Sequence, residues 1–177
     1  MSSQLKLTEL ISEERLQEKI KEMGKVLSEK FMGEPLVAIC ILKGSFMFYA
    51  DLVREIDTDM VCEFFGVSSY LNASRTSGEV QLTLDLNTPI EGKHVLLIED
   101  IVDTGLTMSY LQKNLSARKP RSLTTATLLL KPGCLKVDCP VDHVGFEVSD
   151  EFVVGYGLDY QGYFRNIPYI AQVEGLI

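Results

Sequence analysis

Two neighbouring acids, Glu99 and Asp100, run straight into Ile101-Val102-Asp103-Thr104-Gly105-Leu106-Thr107, and this stretch concentrates groups that can do chemistry. Gly105 can take a backbone conformation closed to other residues. Successive N–H groups then point into one hollow, and a helix that follows adds its positive amino end. A single terminal phosphate fits such a hollow, with Thr104 and Thr107 as hydroxyl donors. Glu99 and Asp100 cannot serve that phosphate, because like charges repel. Neighbouring carboxylates suit vicinal sugar hydroxyls instead, or a Mg²⁺ that those hydroxyls share with a diphosphate. Lys43-Gly44, Lys131 and Asp159 each stand directly after an apolar run, as Glu99-Asp100 do. Taken singly, such charges mark only where a strand reaches water. Taken with the 103–107 turn, they describe a site for a phosphorylated ribose.

The elements that must position these groups are legible in the apolar spacing. Leu16, Ile20, Met23, Leu27 and Phe31 recur at three- and four-residue steps, which predicts an amphipathic helix over 12–30 with Ser12 as N-cap. Leu36–Leu42 is continuously apolar, the mark of a strand buried on both faces. A second helix is expected over 45–56, capped by Ser45, and a third from Met108 through Leu115 towards Pro120. Further strands are expected over 60–67, 79–86, 94–98, 122–130, 144–148 and 152–158, with Gly155 and Gly157 read as strand glycines. Between the strands at 60–67 and 79–86 lies a long polar segment, expected to be a lid. The order of signals is that of an α/β protein with one mainly parallel central sheet. In such sheets ligands bind beyond the carboxyl ends of the strands, where the charged residues fall.

At 177 residues the chain is expected to form a single domain, 1–177. Its composition, 46% apolar and 24% charged, is that of a globular protein. A net charge of −8 opposes binding to nucleic acid and to anionic membranes. No stretch approaches the roughly 20 apolar residues of a membrane span, and the amino terminus lacks a secretory pattern, so a cytoplasmic protein is expected. Cys40 and Cys62 are expected in the core, and Cys134, Cys139 and His143 lack both zinc-knuckle spacing and a fourth ligand. There is no Walker pattern, and Gly155-Tyr156-Gly157 lacks the third glycine of a dinucleotide fingerprint.

Residues 95–107 resemble the phosphoribosyl pyrophosphate signature of the type I phosphoribosyltransferases. The Glu99-Asp100 pair with Asp103 resembles the 6-oxopurine, or hypoxanthine-guanine, branch. Leu42-Lys43-Gly44-Ser45 resembles the pyrophosphate loop of that family, Ser69-Tyr70 its mobile lid, and Lys131 with residues 152–160 its purine pocket. The likeness spans about residues 36–170, and the short spacing from Lys131 to Asp159 looks like the bacterial form. It implies the type I fold, with a hood built from both terminal segments and a lid loop at about 66–78. It also implies purine salvage: Mg²⁺-dependent transfer of 5-phosphoribosyl from phosphoribosyl pyrophosphate to N9 of hypoxanthine or guanine, by a homodimer or homotetramer.

Carried over by position, the resemblance gives Asp103 the catalytic role beside N7 of the base. Glu99, Asp100, Asp103, Thr104, Gly105, Leu106 and Thr107 would hold the ribose and its phosphate. Lys43, Gly44, Ser69, Tyr70 and Arg165 would hold the pyrophosphate, Glu99 and Asp100 a Mg²⁺, and Asp159 would help hold a second Mg²⁺ at the pyrophosphate. Lys131, Phe152, Val153 and Asp159 would line the purine pocket. In this family the peptide before the residue matching Lys43 is often cis. Two other readings remain: a regulator that binds phosphoribosyl pyrophosphate as a signal and contacts nucleic acid, and a non-catalytic interaction protein on an enzyme scaffold. The acidic charge and the retention of Asp103 and Lys131 disfavour the first, and the intact acid and hydroxyl residues disfavour the second.

Overall fold

Seven consecutive apolar residues leave water only if both faces of their strand are covered, and Leu36–Leu42 is covered on both. The computed structural model describes residues 5–69 and 80–175. Its elements are β1 (Lys6–Ile11), α1 (Glu13–Lys30), β2 (Leu36–Leu42), α2 (Phe46–Arg54), β3 (Met60–Ser69), β4 (Val80–Leu84), β5 (His94–Val102), α3 (Leu106–Ser116), β6 (Ser122–Leu130), β7 (His143–Glu147), β8 (Val153–Val154) and β9 (Ile170–Glu174). A six-stranded sheet has the order β4-β3-β2-β5-β6-β7, parallel throughout except for the antiparallel edge strand β4.

Alternation along the central strands divides the core. Ala38, Cys40, Leu96 and Ile98 face α1 and α2, whereas Val37, Ile39, Ile41, Val95 and Leu97 face Met108, Leu111 and Leu115 of α3. Helix α1 buries Leu16, Ile20 and Leu27 completely, each contributing roughly 1.5–3 kcal/mol. The Ser12 side chain caps this helix by accepting from the Arg15 amide at 3.4 Å. From β2 the chain passes through α2 to β3 on one side, yet β5 lies on the other side of β2. This reversal opens a crevice above the carboxyl ends of β2 and β5.

The terminal segments form the expected hood, an antiparallel sheet ordered β1-β9-β8. Several sequence expectations are corrected. Ser45 makes no cap to α2, because its buried hydroxyl accepts instead from the Asp100 amide at 3.0 Å. The strand expected at 152–158 ends at Val154, because Gly155, Tyr156 and Gly157 all take positive φ and turn the chain. β5 extends beyond Ile98 to Val102, so Glu99 and Asp100 are strand residues. Cys62 is exposed rather than buried, since it sits on β3, where α2 covers the sheet only in part. β1 and β9 had no counterpart in the apolar spacing. Of the segment read as a lid, residues 66–69 belong to β3 and residues 70–78, Tyr70 included, lie outside the described residues.

Candidate active site

A cavity of about 330 Å³ occupies the crevice. Lys43 and Gly44 bound it after β2, Glu99 and Asp100 from β5, Asp103 and Thr107 at the start of α3, and Lys131 after β6. Phe152, Val153, Asp159 and Arg165 close it from the hood. Thr104, Gly105 and Leu106 form the adjoining turn. The backbone of Ser69 ends β3, paired with Val80. The structure thus gathers eleven of the candidate residues around one space, together with apolar walls from Ile41, Leu42, Val67, Ile101 and Leu158 that the charge pattern had not indicated.

The Leu42–Lys43 peptide is cis. Next to it, Gly44 leaves room that the Asp100 carboxylate fills: a Cβ there would stand 1.6 Å from Asp100 Oδ2. Asp100 is held further by its amide donating to Ser45 Oγ and by its own Oδ1, which accepts from the Ile101 amide at 2.9 Å. Burial pushes the Asp100 carboxyl up to about 6, partly offset by backbone donors and by Arg165. Burial and the charge of Asp100 push Glu99 well above the ordinary carboxylate range. Glu99 Oε2 is shielded from water and has no hydrogen-bond partner. Sequence reasoning missed Ser45 as the support of this pair, although it directly follows Gly44.

At the 103–107 turn Gly105 takes φ 78°, and the first turn of α3 carries no acid. Its leading N–H groups lack helical partners and form an anion-binding end. Leu135, Val137 and Cys139 pack beneath Gly105, and the Lys136 amide donates to Thr104 O at 2.9 Å. Across the cavity Lys131, 6% exposed, places Nζ 3.6 Å from Asp103 Oδ2. The Lys131 amide donates to Val102 O at 2.9 Å, fixing one loop to the other. Phe152 is exposed and meets Tyr160 edge to face at 5.6 Å. Arg165 pairs with Asp159 at 2.6 Å and donates to Gly157 O at 2.6 Å.

Four carboxylates, Glu99, Asp100, Asp103 and Asp159, thus face three cations, Lys43, Lys131 and Arg165. With every one of these groups ionised the lining is negative by one charge, to which a polyanionic ligand adds. A hard divalent cation resolves that conflict, and the shielded, unpartnered oxygen of Glu99 is a suitable donor. Among the described residues no group of three or more His, Cys, Asp or Glu side chains could hold a metal ion. Mg²⁺ is commonly held by one or two carboxylates with phosphate oxygens and waters, and this donor set fits that mode.

The chain matches the family model described as "Phosphoribosyl transferase domain" over residues 8–161. It is 50% identical to the hypoxanthine-guanine phosphoribosyltransferase of Bacillus subtilis, over 93% of this chain and 92% of that protein. The crystal structure of a hypoxanthine-guanine phosphoribosyltransferase from Bacillus anthracis superposes with a TM-score of 0.89 at 47% identity, covering 93% of this chain and 97% of that one. A hypoxanthine phosphoribosyltransferase from Staphylococcus aureus superposes at 0.91 with 46% identity, over 97% and 92% of the two chains. A glycine turn at a helix start, an adjacent acid pair and an Asp–Lys couple on this sheet, with relatives so close over nearly the full length, have one reading: the chain belongs to the hypoxanthine-guanine phosphoribosyltransferases.

Proposed function

We propose that the chain joins a 6-oxopurine to the ribose of phosphoribosyl pyrophosphate, forming IMP or GMP and releasing pyrophosphate in purine salvage. The juxtaposition of Asp103 and Lys131 carries this reading. In the N7–H tautomer of the base, N9 keeps its lone pair and attacks C1′. The C1′–N9 bond forms while the C1′–O bond breaks, its electron pair leaving with pyrophosphate. Asp103 accepts the proton from N7, and Lys131 donates to the 6-oxygen. Phe152 stacks on the base, and the main chain at Val153 and Asp159 meets its edge. The amides of 104–107 hold the 5′-phosphate, with Glu99 and Asp100 at the ribose hydroxyls. Lys43, Gly44 and Arg165, with Ser69 and Tyr70, complete the diphosphate site. Glu99 and Asp100 would hold one Mg²⁺ and Asp159 would help hold a second, and these ions when bound neutralise charge on the leaving diphosphate.

Incubating the protein with Mg²⁺, phosphoribosyl pyrophosphate and a panel of free bases should yield nucleotide from hypoxanthine or guanine and not from adenine. Silence with every purine would refute the assignment. Within the pocket, Lys131→Ala should lower kcat/KM for hypoxanthine roughly 100-fold, because a donor built for the 6-oxygen is lost. The rate with adenine should not fall with it, so selectivity collapses; a variant that rejects adenine as strongly as the wild type would remove Lys131 from base recognition.

The assembly is a homodimer or homotetramer in this reading. Phe46 and Phe64 are both exposed, and Phe64 packs 5.6 Å from Tyr49, one turn along α2 from Phe46. A second copy covering that apolar face would bury it. The four free cysteines suit a reducing, cytoplasmic setting.

A further inference from the structure

Arg165 and Asp159 hang from a turn whose placement depends on a side chain with no part in the chemistry above. Gly155, Tyr156 and Gly157 take φ of 97°, 47° and 101° in succession. For Tyr156, which is not glycine, this is a conformation that surrounding contacts must hold. Its ring is 5% exposed and lies in the core beside α1 and α2. Its hydroxyl donates to the Asp51 carboxylate, midway along α2. Gln17 of α1 donates to the same carboxylate oxygen at 3.2 Å, and Arg54 pairs with the other. Burial, with the negative charge of Asp51, raises the Tyr156 hydroxyl above its ordinary range and keeps it a donor.

One residue further on, Gly157 lies so close to the loop after β2 that a Cβ would stand 2.0 Å from Gly44 O. The Gly157 carbonyl accepts from Arg165, and Arg165 in turn holds Asp159. Backbone bonds to the 165–167 segment hold the turn within the hood, the Tyr156 amide donating to Ile167 O at 2.7 Å and the Gly157 amide to Arg165 O at 2.9 Å; towards the sheet it is seated at two points, Gly157 on Gly44 and Tyr156 on Asp51. The first point is Gly44 itself, and the second lies on α2, the helix that starts directly after Ser45. Phe152 and Val153 are supported separately, by pairing with β9: Val153 opposes Gln172, and Phe152 O accepts from the Val173 amide at 2.9 Å.

We propose that Tyr156 and Asp51 are positioning residues for the diphosphate subsite. Their hydrogen bond sets Arg165 and Asp159 against Lys43 and Gly44, and so governs affinity for phosphoribosyl pyrophosphate while leaving purine affinity alone. The inference rests on the reading above, in which this rim receives the diphosphate. Tyr156→Phe keeps the ring and removes only the hydroxyl; Asp51→Asn keeps an acceptor of the same shape; Asp51→Ala removes it.

The test is steady-state kinetics of each full-length variant and the wild type with Mg²⁺, phosphoribosyl pyrophosphate and hypoxanthine, alongside calorimetric binding of phosphoribosyl pyrophosphate and thermal unfolding. Tyr156→Phe and Asp51→Ala should each raise KM and Kd for phosphoribosyl pyrophosphate about tenfold, the scale of one lost hydrogen bond to a charged group. KM for hypoxanthine should stay unchanged. Asp51→Asn should recover most of the loss, and Tyr156→Phe combined with Asp51→Ala should be no worse than either alone. Equal rises in both KM values, or a lowered unfolding temperature with unchanged affinity, would overturn the proposal and leave the pair a purely structural role. A wild type that binds phosphoribosyl pyrophosphate but makes no nucleotide would refute the assigned reaction, while the calorimetry would still decide the role of Tyr156.

Discussion

Asp103→Asn is expected to lower kcat by roughly 10²–10⁴-fold, the range that general acid–base catalysis supplies, while Kd for phosphoribosyl pyrophosphate stays close to that of the wild type. The asymmetry follows from position. Asp103 sits where the turn leaves β5, its carboxylate 3.6 Å from Lys131, the residue proposed to meet the purine, whereas the amides proposed to meet the phosphate belong to the residues after it. Asn keeps an oxygen for Lys131, so the buried ammonium retains a partner and the pocket its packing. What Asn cannot do is accept the N7 proton. Rapid-quench kinetics, which separate the chemical step from product release, should show the loss in chemistry; an unchanged single-turnover rate would take Asp103 out of the mechanism.

Gly44→Ala is expected to reduce kcat/KM for phosphoribosyl pyrophosphate roughly 100-fold, though the added group is one methyl. The new Cβ would stand 1.6 Å from Asp100 Oδ2, so one of them must move. Asp100 has little room: it is 8% exposed and anchored by the Ser45 hydroxyl and the Ile101 amide. The Gly44 carbonyl meets Gly157 on its other side, so shifting the loop would disturb the hood turn as well. A displacement near 1 Å at a positioned group is enough for a loss on that scale. Circular dichroism should show a folded protein, since the change lies at the rim and outside both core layers. Wild-type kinetics from Gly44→Ala would show that the contact between Gly44 and Asp100 has no bearing on the reaction.

The local chemistry was legible wherever one segment contained all of its parts. The 103–107 turn is an example, since Gly105, the hydroxyl residues and the start of α3 are contiguous, and Gly105 takes the left-handed conformation its type allows. The continuous apolar runs of β2 and β5 announced a sheet covered on both faces, because nothing else hides such runs from water. Where a residue's role depends on a distant partner, the same reading failed. Ser45 had the sequence of a helix cap, yet its hydroxyl accepts from Asp100, 55 positions away. Residues 152–158 had the composition of a strand, yet the approach of Tyr169 O to Gly155 and of Gly44 O to Gly157 turns the chain after Val154. Cys62 had apolar neighbours in sequence, but how far α2 extends over β3 decided its exposure.

By itself, then, the sequence determined the α/β class, the three helices, the central strands and the rim on which the charged residues stand, because periodicity and run length depend on short-range geometry. It also determined the resemblance, since contiguous motifs survive without knowledge of the fold. Only the tertiary structure decided that Gly44 makes way for Asp100, that Lys131 is buried against Asp103, and that Tyr156 ties the hood to α2. These are contacts between segments far apart in the chain, and their energies arise from burial and close approach, which no local pattern encodes.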